Sequence, residues 1–197
     1  PSLNEMMYMF SGCSELKELY LSNFDTSKVV NMGNMFRFCT SLISLDISNF
    51  DTSSVTDING MFSNCHSLIS LDVSHFNTSK VENIGAMFKS CKSLKSLSVN
   101  GFDTSKANSI KSMFHGCTFI ETIDLSSFKT HNIIHMDDLF YGCSSLIRLE
   151  ISHFDVRKVD SMSYMFYECK SLTSIDLPKL DYLNVYSTTY MFAGCSS

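Results

Sequence analysis

The sequence predicts an α/β repeat solenoid, in which each coil of the chain contributes one strand and one short helix to a continuous stack. Three observations lead to this fold class. Eight cysteines recur at a fixed spacing, a Met-Phe pair recurs at the same spacing, and two hydrophobic periodicities alternate within each unit. A unit of 26 residues cannot bury its apolar face alone, whereas stacked copies form a continuous core. We therefore expect a single solenoid domain over residues 1–197.

The repeat is 26 residues long and contains neither insertions nor deletions. Its cysteines are Cys13, Cys39, Cys65, Cys91, Cys117, Cys143, Cys169 and Cys195. A Met-Phe or Leu-Phe pair, such as Met35-Phe36, begins four residues before each cysteine, and its phenylalanine is present in every unit. The chain holds about seven and a half units, and we expect it to be part of a longer array.

The first element of each unit is a predicted strand. Leu42, Leu45 and Ile47 follow an LxxLxL pattern, in which apolar and polar residues alternate. This alternation is typical of a short, half-buried strand. Because stacked units bring equivalent strands to a spacing of about 4.8 Å, we expect a parallel β-sheet along one face of the solenoid.

The second element is a predicted short helix. Residues 51–53, with the sequence Asp-Thr-Ser, are of the types that accept the free N–H groups of a first helical turn. The apolar residues that follow are spaced like one helical face, and they are Val55, Ile58, Met61, Phe62 and Cys65. A strand followed by a short helix makes the unit leucine-rich-repeat-like.

The run MFRFCTSLISLDISNFDTSSV at residues 35–55 closely resembles the 26-residue repeats of BspA-like bacterial surface proteins, which also occur in mycoplasma and Listeria surface lipoproteins. The run at residues 61–81 repeats it with Asn77 in place of aspartate, and the resemblance covers essentially the whole chain. The resemblance implies a secreted or surface-anchored leucine-rich-repeat module that engages other proteins, host matrix or neighbouring cells. It implies neither a cofactor nor catalytic residues, because that family has no shared active site.

Composition excludes other classes of protein. The net charge of −5 provides no basic surface for a nucleic-acid backbone. No run approaches the roughly 20 apolar residues of a membrane helix, so we expect no membrane insertion by this segment. A regular solenoid also offers no evident cleft in which a nucleophile and a base converge, so we expect no enzyme.

The cysteines admit three interpretations. An even count in a surface protein fits disulfides, and cysteine clusters also fit metal sites. The 26-residue spacing, however, places successive thiols one coil apart with parallel Cβ directions, which favours a column of buried free thiols. A metal site at His131 and His135, with Asp137 and Asp138 nearby, is conceivable, but HNIIH lacks the glutamate of HExxH. We expect these side chains to be solvated and no metal to be bound.

Tyrosines supply the preferred candidate contact site. Six of the eight follow residue 140, namely Tyr141, Tyr164, Tyr167, Tyr182, Tyr186 and Tyr190. Tyr141 and Tyr167 are 26 residues apart, as are Tyr164 and Tyr190, so each pair should stack between neighbouring coils. Exposed aromatic residues of this kind anchor protein interfaces and support sugar rings. Alternatively, they cover an end of the array or pack against further repeats.

Charged residues supply two further candidate contact sites. Between residues 80 and 111 six lysines stand against two acids, and Lys89, Lys92 and Lys95 lie within one unit. These lysines are either part of a varied soluble surface or a site for an acidic glycan or an anionic protein. The outward strand positions form an acidic column of Asp46, Asp72, Asp124, Glu150 and Asp176. This column is either a solvated strip or a site for calcium or a basic partner. A second acidic column stands at the predicted helix start and is expected to cap it; its members are Asp25, Asp51, Asp103, Asp155 and Asp181.

These observations predict a non-catalytic binding or adhesion module that recognises a protein or glycan through the solenoid surface. The alternative is a structural spacer or stalk without a specific ligand.

Overall fold

The computed structural model describes residues 4–179 and 184–196, so the predicted features at Asp181 and Tyr182 lie outside the described residues. The chain forms stacked 26-residue coils with four short strands. These are β1 (Ser70–Asp72), β2 (Ser96–Ser98), β3 (Arg148–Glu150) and β4 (Ser174–Asp176). β1 pairs with β2, and β3 pairs with β4, both in parallel. The predicted parallel pairing of strands from neighbouring coils is confirmed for these four coils.

Side chains alternate on this face as the sequence predicts. Leu71 is buried between exposed Ser70 and Asp72, and it lies opposite Leu97 in the register of β1 and β2. Leu45 and Ile47 are buried as well, although the described residues of their coil form no strand.

The predicted short helix is wrong, because no residue of the described ranges 4–179 and 184–196 is helical. Instead, alternate N–H groups donate to the next coil. Ile58 donates to the carbonyl oxygen of Asn83 at 3.0 Å, and Phe62 donates to that of Met87 at 2.9 Å. The intervening Met61 N–H donates to the carbonyl of Ile58, three residues earlier, at 3.2 Å. Backbone N–H groups that would form hydrogen bonds within a helix therefore donate to carbonyl groups of the next coil.

Residues with positive φ, the left-handed backbone conformation, occur at the same two positions of every coil. Gly60 has φ of 59° and Asn64 has φ of 63°, and Tyr164 and Glu168 occupy the same two positions further along the chain. A β-turn whose third residue, but not its second, has positive φ is of type II, and the turns at residues 58–61 and 62–65 follow one another directly. Consecutive turns therefore give the same apolar spacing as a helical face, which explains why the periodicity predicted a helix.

The core is a column of phenylalanine rings that runs through the stack. The ring centroids of Phe36 and Phe62 are 5.6 Å apart with an interplanar angle of 4°, and Phe62 stacks on Phe88 at 5.9 Å. The phenylalanines at the strand-to-turn corner are also buried from Phe50 to Phe154, whereas Phe24 is half-buried. Each coil thus covers the apolar side chains of its neighbours, as the repeat requires.

The cysteines are free thiols, and those from Cys39 to Cys169 are buried, so the predicted column is confirmed for these six. Cys13 is exposed and Cys195 is half-buried. The prediction that all eight thiols are buried is therefore wrong at these two positions.

Candidate binding surfaces

Four of the tyrosines form one cluster on the face built by the consecutive turns. Tyr141 stacks on Tyr167 with ring centroids 4.8 Å apart, and Tyr164 stacks on Tyr190 at 5.4 Å. Tyr164 meets Tyr167 edge to face at 5.7 Å, which joins the two pairs. We call these four residues the tyrosine cluster. The predicted stacking between neighbouring coils is confirmed for both pairs.

His115 extends the cluster by one coil, and sequence reasoning missed it. Its ring stacks on Tyr141 at 4.5 Å with an interplanar angle of 7°. The pKa of His115 is lowered, chiefly by burial and also by the positive charge of Lys89, while Asp138 opposes the shift. The neutral form is thereby favoured, and a neutral imidazole can lie flat against a phenol ring. The same 26-residue count that paired the tyrosines would have found this residue.

Lys89 lies one repeat before His115, so that Lys89, His115, Tyr141 and Tyr167 occupy one position in four successive coils. Lys89 is half-buried and close enough to depress the pKa of His115. The lysine site and the tyrosine site predicted separately from the sequence therefore share a row along the solenoid.

Tyr141 presents its edge, not its faces, to solvent. Tyr141 has His115 on one face and Tyr167 on the other. Tyr190 is the most exposed member of the cluster, at 60%. Within the part of the chain that the structure describes, no hydroxyl of the cluster has a hydrogen-bond partner. The cluster can therefore offer several phenolic hydroxyls to a partner that approaches the edge of the stack.

The other predicted lysines, Lys92 and Lys95, are exposed. Among residues 4–179 and 184–196, neither their ammonium groups nor that of Lys89 forms an ion pair or a hydrogen bond. Lys92 lowers the pKa of His66, after the larger effect of burial on that imidazole. This part of the surface therefore carries uncompensated positive charge.

Phe119 is a second residue that sequence reasoning missed. It is 54% exposed, and the equivalent position in five other coils is serine, at Ser41, Ser67, Ser93, Ser145 and Ser171. Thr118 beside it donates a hydrogen bond to the carbonyl oxygen of Lys92 at 2.9 Å, so Phe119 lies in the coil next to Lys92 and Lys95. A phenylalanine in a column of serines is the signal that could have identified it.

The acidic column is exposed, but only part of it lies in strands. Asp72, Glu150 and Asp176 end β1, β3 and β4. Asp46 and Asp124 lie outside the four strands, which corrects the prediction that each member of the column occupies a strand. Glu150 also lies 3.6 Å from Arg148 in an exposed ion pair.

A serine two residues further along accounts for three of these carboxylates. Asp72 accepts hydrogen bonds from the backbone N–H and the hydroxyl of Ser74, at 2.9 and 2.7 Å. These bonds lower the pKa of Asp72, and bonds from the equivalent serines lower the pKa of Asp46 and Asp124. This part of the acidic column therefore stabilises turns, with its remaining oxygens exposed to water.

The second acidic column stabilises turns in the same way. Asp51 accepts a hydrogen bond from the N–H of Ser53 at 2.9 Å, although no helix follows it in the described chain. Asp25 and Ser27 form the same bond at 3.0 Å. The expected capping hydrogen bond is present, but it closes a turn.

The structure separates the histidines of the HNIIH segment. His131 is exposed and acts electrostatically on Asp155, whereas Nδ1 of His135 lies 3.2 Å from Oδ1 of Asp160. Asp137 belongs to the group around His135, whereas Asp138 acts on His115. The four side chains that the sequence made conceivable as ligands, His131, His135, Asp137 and Asp138, are therefore not brought together as one group.

The strand face also contains an open hollow of about 460 Å³, whose lining includes Asp124, Arg148, Glu150 and His153. Nε2 of His153 lies 3.2 Å from the carbonyl oxygen of Leu125, so this histidine links two coils.

The described residues include no helix of the length and hydrophobicity that a membrane span requires.

Parallel strand pairs, coils of constant length and a continuous apolar core define the class of the protein as a leucine-rich repeat solenoid. The chain belongs to the family described as "Mycoplasma protein of unknown function, DUF285", whose model matches residues 4–123 and 108–197. The resemblance to BspA-like repeat proteins is thereby confirmed. A search of the curated proteins found no match.

Solved structures of leucine-rich repeat proteins are similar to this chain. One from Eubacterium ventriosum has 16% sequence identity and a TM-score of 0.50, and the match covers 91% of this chain and 45% of that one. One from Bacteroides ovatus has 23% identity and a TM-score of 0.43, with 76% and 41% covered. This chain therefore spans less than half the length of these two proteins. The first similarity supports the fold.

Proposed function

We propose that this chain is a non-catalytic binding module of a cell-surface protein, which recognises a protein or glycan partner through the turn face of the solenoid. The observation that carries the proposal is the tyrosine cluster, in which Tyr141 and Tyr167 stack with their hydroxyls unpaired. Tyrosines with this combination of apolar ring and free polar tip are frequent anchors of protein interfaces.

The orientation of the rings favours a protein over a glycan as the partner. A sugar ring stacks on an open aromatic face, and both faces of Tyr141 are covered, by His115 and by Tyr167. The exposed edges and hydroxyls instead suit backbone and side-chain acceptors on a protein surface. Tyr190, at 60% exposure, is the cluster member with the most surface to contribute.

The lysines support an anionic partner. Lys89 lies in the same row as Tyr141, and exposed Lys92 and Lys95 lie in the coil next to that of exposed Phe119. An aromatic ring beside unpaired cations is suited to a protein segment that carries carboxylates and an apolar side chain. The acidic column at Asp46, Asp72, Asp124, Glu150 and Asp176 is a separate candidate contact for a basic partner.

Placement at the cell surface rests on the resemblance to BspA-like proteins. The absence of a catalytic role is likewise part of the proposal. It is supported by the pKa of the buried thiols, which burial raises for Cys91 and Cys117 well above the ordinary cysteine range. A buried thiol that resists ionisation is a poor nucleophile.

The test is binding of the chain to a panel of extracellular matrix proteins, glycans and host-cell surfaces, measured across a series of salt concentrations. The Tyr141→Ala/Tyr167→Ala double variant is compared with Tyr20→Ala, which removes a tyrosine that is 84% exposed and outside the cluster. We expect saturable binding to a protein, lost in the double variant and retained in the control.

Other outcomes reassign the site or overturn the proposal. Binding that weakens with salt and is unchanged in the double variant moves the contact to the lysines, which a Lys92→Ala/Lys95→Ala variant then tests. Binding to glycans alone contradicts the choice of a protein partner. Absence of binding across the panel supports the alternative function as a spacer.

A further inference from the structure

His135, Asp137 and Asp160 bring one ring nitrogen and two carboxylate oxygens within 4.8 Å of one another. His135 and Asp137 belong to one coil and Asp160 to the next, so no contiguous motif reveals the group. We propose that this triplet binds a divalent transition-metal ion of the zinc class and thereby links two neighbouring coils. The proposal is independent of partner binding at the tyrosine cluster.

The register of the coils assembles the triplet. His135 forms a parallel bridge with Ser161 of the next coil, and Asp160 immediately precedes that serine. Asp137 follows His135 by two residues and accepts hydrogen bonds from Ser161 and from the backbone N–H of Ser163. Groups that form hydrogen bonds to a metal ligand fix the orientation of that ligand towards the metal.

The equivalent positions of the other described coils do not contain this combination of donors. Asp57, Asn59 and Glu82 provide three oxygen donors and no imidazole. Ser109, Lys111 and Ile134, one coil before the triplet, include a cation and an apolar side chain. The backbone arrangement is therefore shared by the coils, whereas the ligand chemistry is particular to His135, Asp137 and Asp160.

The donor set fits the proposed class of ion. Imidazole and carboxylate are established ligands of zinc and of cobalt(II), at bond lengths of about 2.0–2.2 Å. Two ligands of one tetrahedral ion then lie about 3.3 Å apart. Nδ1 of His135 and Oδ1 of Asp160 are already 3.2 Å apart. With a neutral imidazole the triplet presents two negative charges to a dication and leaves the remaining positions to water.

The proposal is tested with cobalt(II) and zinc(II) added to the whole chain. Cys13 is replaced by serine throughout, because its exposed thiol is a competing ligand. We expect one equivalent of cobalt to bind with visible absorption bands and without a thiolate charge-transfer band. We also expect zinc to compete with cobalt and to raise the thermal unfolding midpoint, because an ion that binds only the folded chain stabilises it.

His135→Ala and Asp160→Asn should each weaken binding by about tenfold or more, since each removes or neutralises a ligand. His131→Ala is the matched control, because this histidine is four residues away but lies beside Asp155, and it should leave affinity unchanged. Circular dichroism establishes that all variants are folded. Undetectable cobalt binding, or binding that His135→Ala leaves intact, overturns the proposal.

A gain of binding provides an independent test. Asp57→His together with Asn59→Asp creates the same donor pattern with Glu82 in the equivalent part of an earlier coil. We expect this variant to bind a second equivalent of cobalt. A stoichiometry that stays at one contradicts the conclusion that the coil register assembles the site.

Discussion

The Sγ atom of Cys91 lies 3.1 Å from the carbonyl oxygen of Phe62, to which the thiol donates a hydrogen bond from the next coil. Cys117 makes the same contact with Phe88, also at 3.1 Å. This contact gives the recurring cysteine two roles, one in packing and one in hydrogen bonding. The cysteine side chain is a small buried apolar group, and its weak S–H adds a second donor to the Phe62 carbonyl, which also accepts from the N–H of Cys65 at 3.2 Å.

Thiol reactivity in the native protein should be confined to the chain's exposed cysteine. We expect Cys13 to react promptly with a thiol reagent near neutral pH and half-buried Cys195 to react slowly. The six buried cysteines should react only after unfolding, because burial restricts access and raises the pKa of Cys39 to about 11 and that of Cys169 to about 12. Titration with and without denaturant measures both populations, and rapid native reaction of Cys91 would contradict the buried column.

Loss of a corner phenylalanine should destabilise the fold strongly. Phe76 is only 3% exposed, so Phe76→Ala should lower the free energy of unfolding by about 3 to 5 kcal/mol. Phe119→Ala is the matched control, since this ring is 54% exposed and its removal should cost less than about 1 kcal/mol. Reversible denaturation with urea gives both values, and equal losses would show that the core is wrongly placed.

A column of buried threonines should contribute through hydrogen bonds between coils. Oγ1 of Thr78 accepts from the N–H of Asp103 at 2.7 Å and donates to its carbonyl oxygen at 3.0 Å. Thr78→Val keeps the shape but leaves two polar groups without their partner, so it should cost about 1 to 3 kcal/mol. Thr78→Ser keeps the hydroxyl and should retain most of the stability. Urea denaturation compares the two, and equal costs would assign the effect to packing.

Stability should fall in acid because several aspartates have a lowered pKa in the folded state. The hydroxyl and N–H of Ser74 lower the pKa of Asp72, and Arg157 lowers that of Asp155 to about 2. A carboxyl group with a lowered folded pKa stabilises the protein above its unfolded pKa, and that contribution is lost as the pH falls through the folded value. We therefore expect stability to decrease from about pH 4 towards pH 2.

The hydrogen bonds to Asp72 can be tested directly. Ser74→Ala removes the hydroxyl donor, so the pKa of Asp72 should rise towards the ordinary aspartate value, as followed by NMR titration of its carboxyl group. Ser54→Ala, which leaves every aspartate bond in place, is the control. An unchanged pKa of Asp72 in Ser74→Ala would show that the hydrogen bond from the hydroxyl does not lower this pKa.

The sequence predicted most of the packing but not the backbone of the turn face. Inward Leu45 and outward Asp46 follow from alternation, and the buried thiols follow from constant spacing. The helix prediction was wrong because two consecutive turns bury Ile58, Met61 and Phe62 at helical intervals. Gly60 and Asn64, which tolerate the left-handed conformation, were the available evidence against a helix.

Residue counting also found only part of the candidate sites. It paired Tyr141 with Tyr167, and the same count would have added His115. It could not reveal that the stack covers the ring faces, because ring orientation depends on side-chain torsions. Asp160 escaped notice for a different reason, since its contact with His135 crosses from one coil to the next.

The hydrogen bonds between coils determine how the array should respond to tension. Each coil is joined to the next by repeated backbone bonds, such as Phe62 to Met87 and Phe88 to Met113, and by no disulfide within the described residues. A pull on the chain is transmitted through all junctions in series, so the weakest junction should open first and coils should detach one after another. Each detached coil lengthens the chain by roughly 90 Å of contour. The molecule would thus act as an extensible tether whose length increases in equal steps.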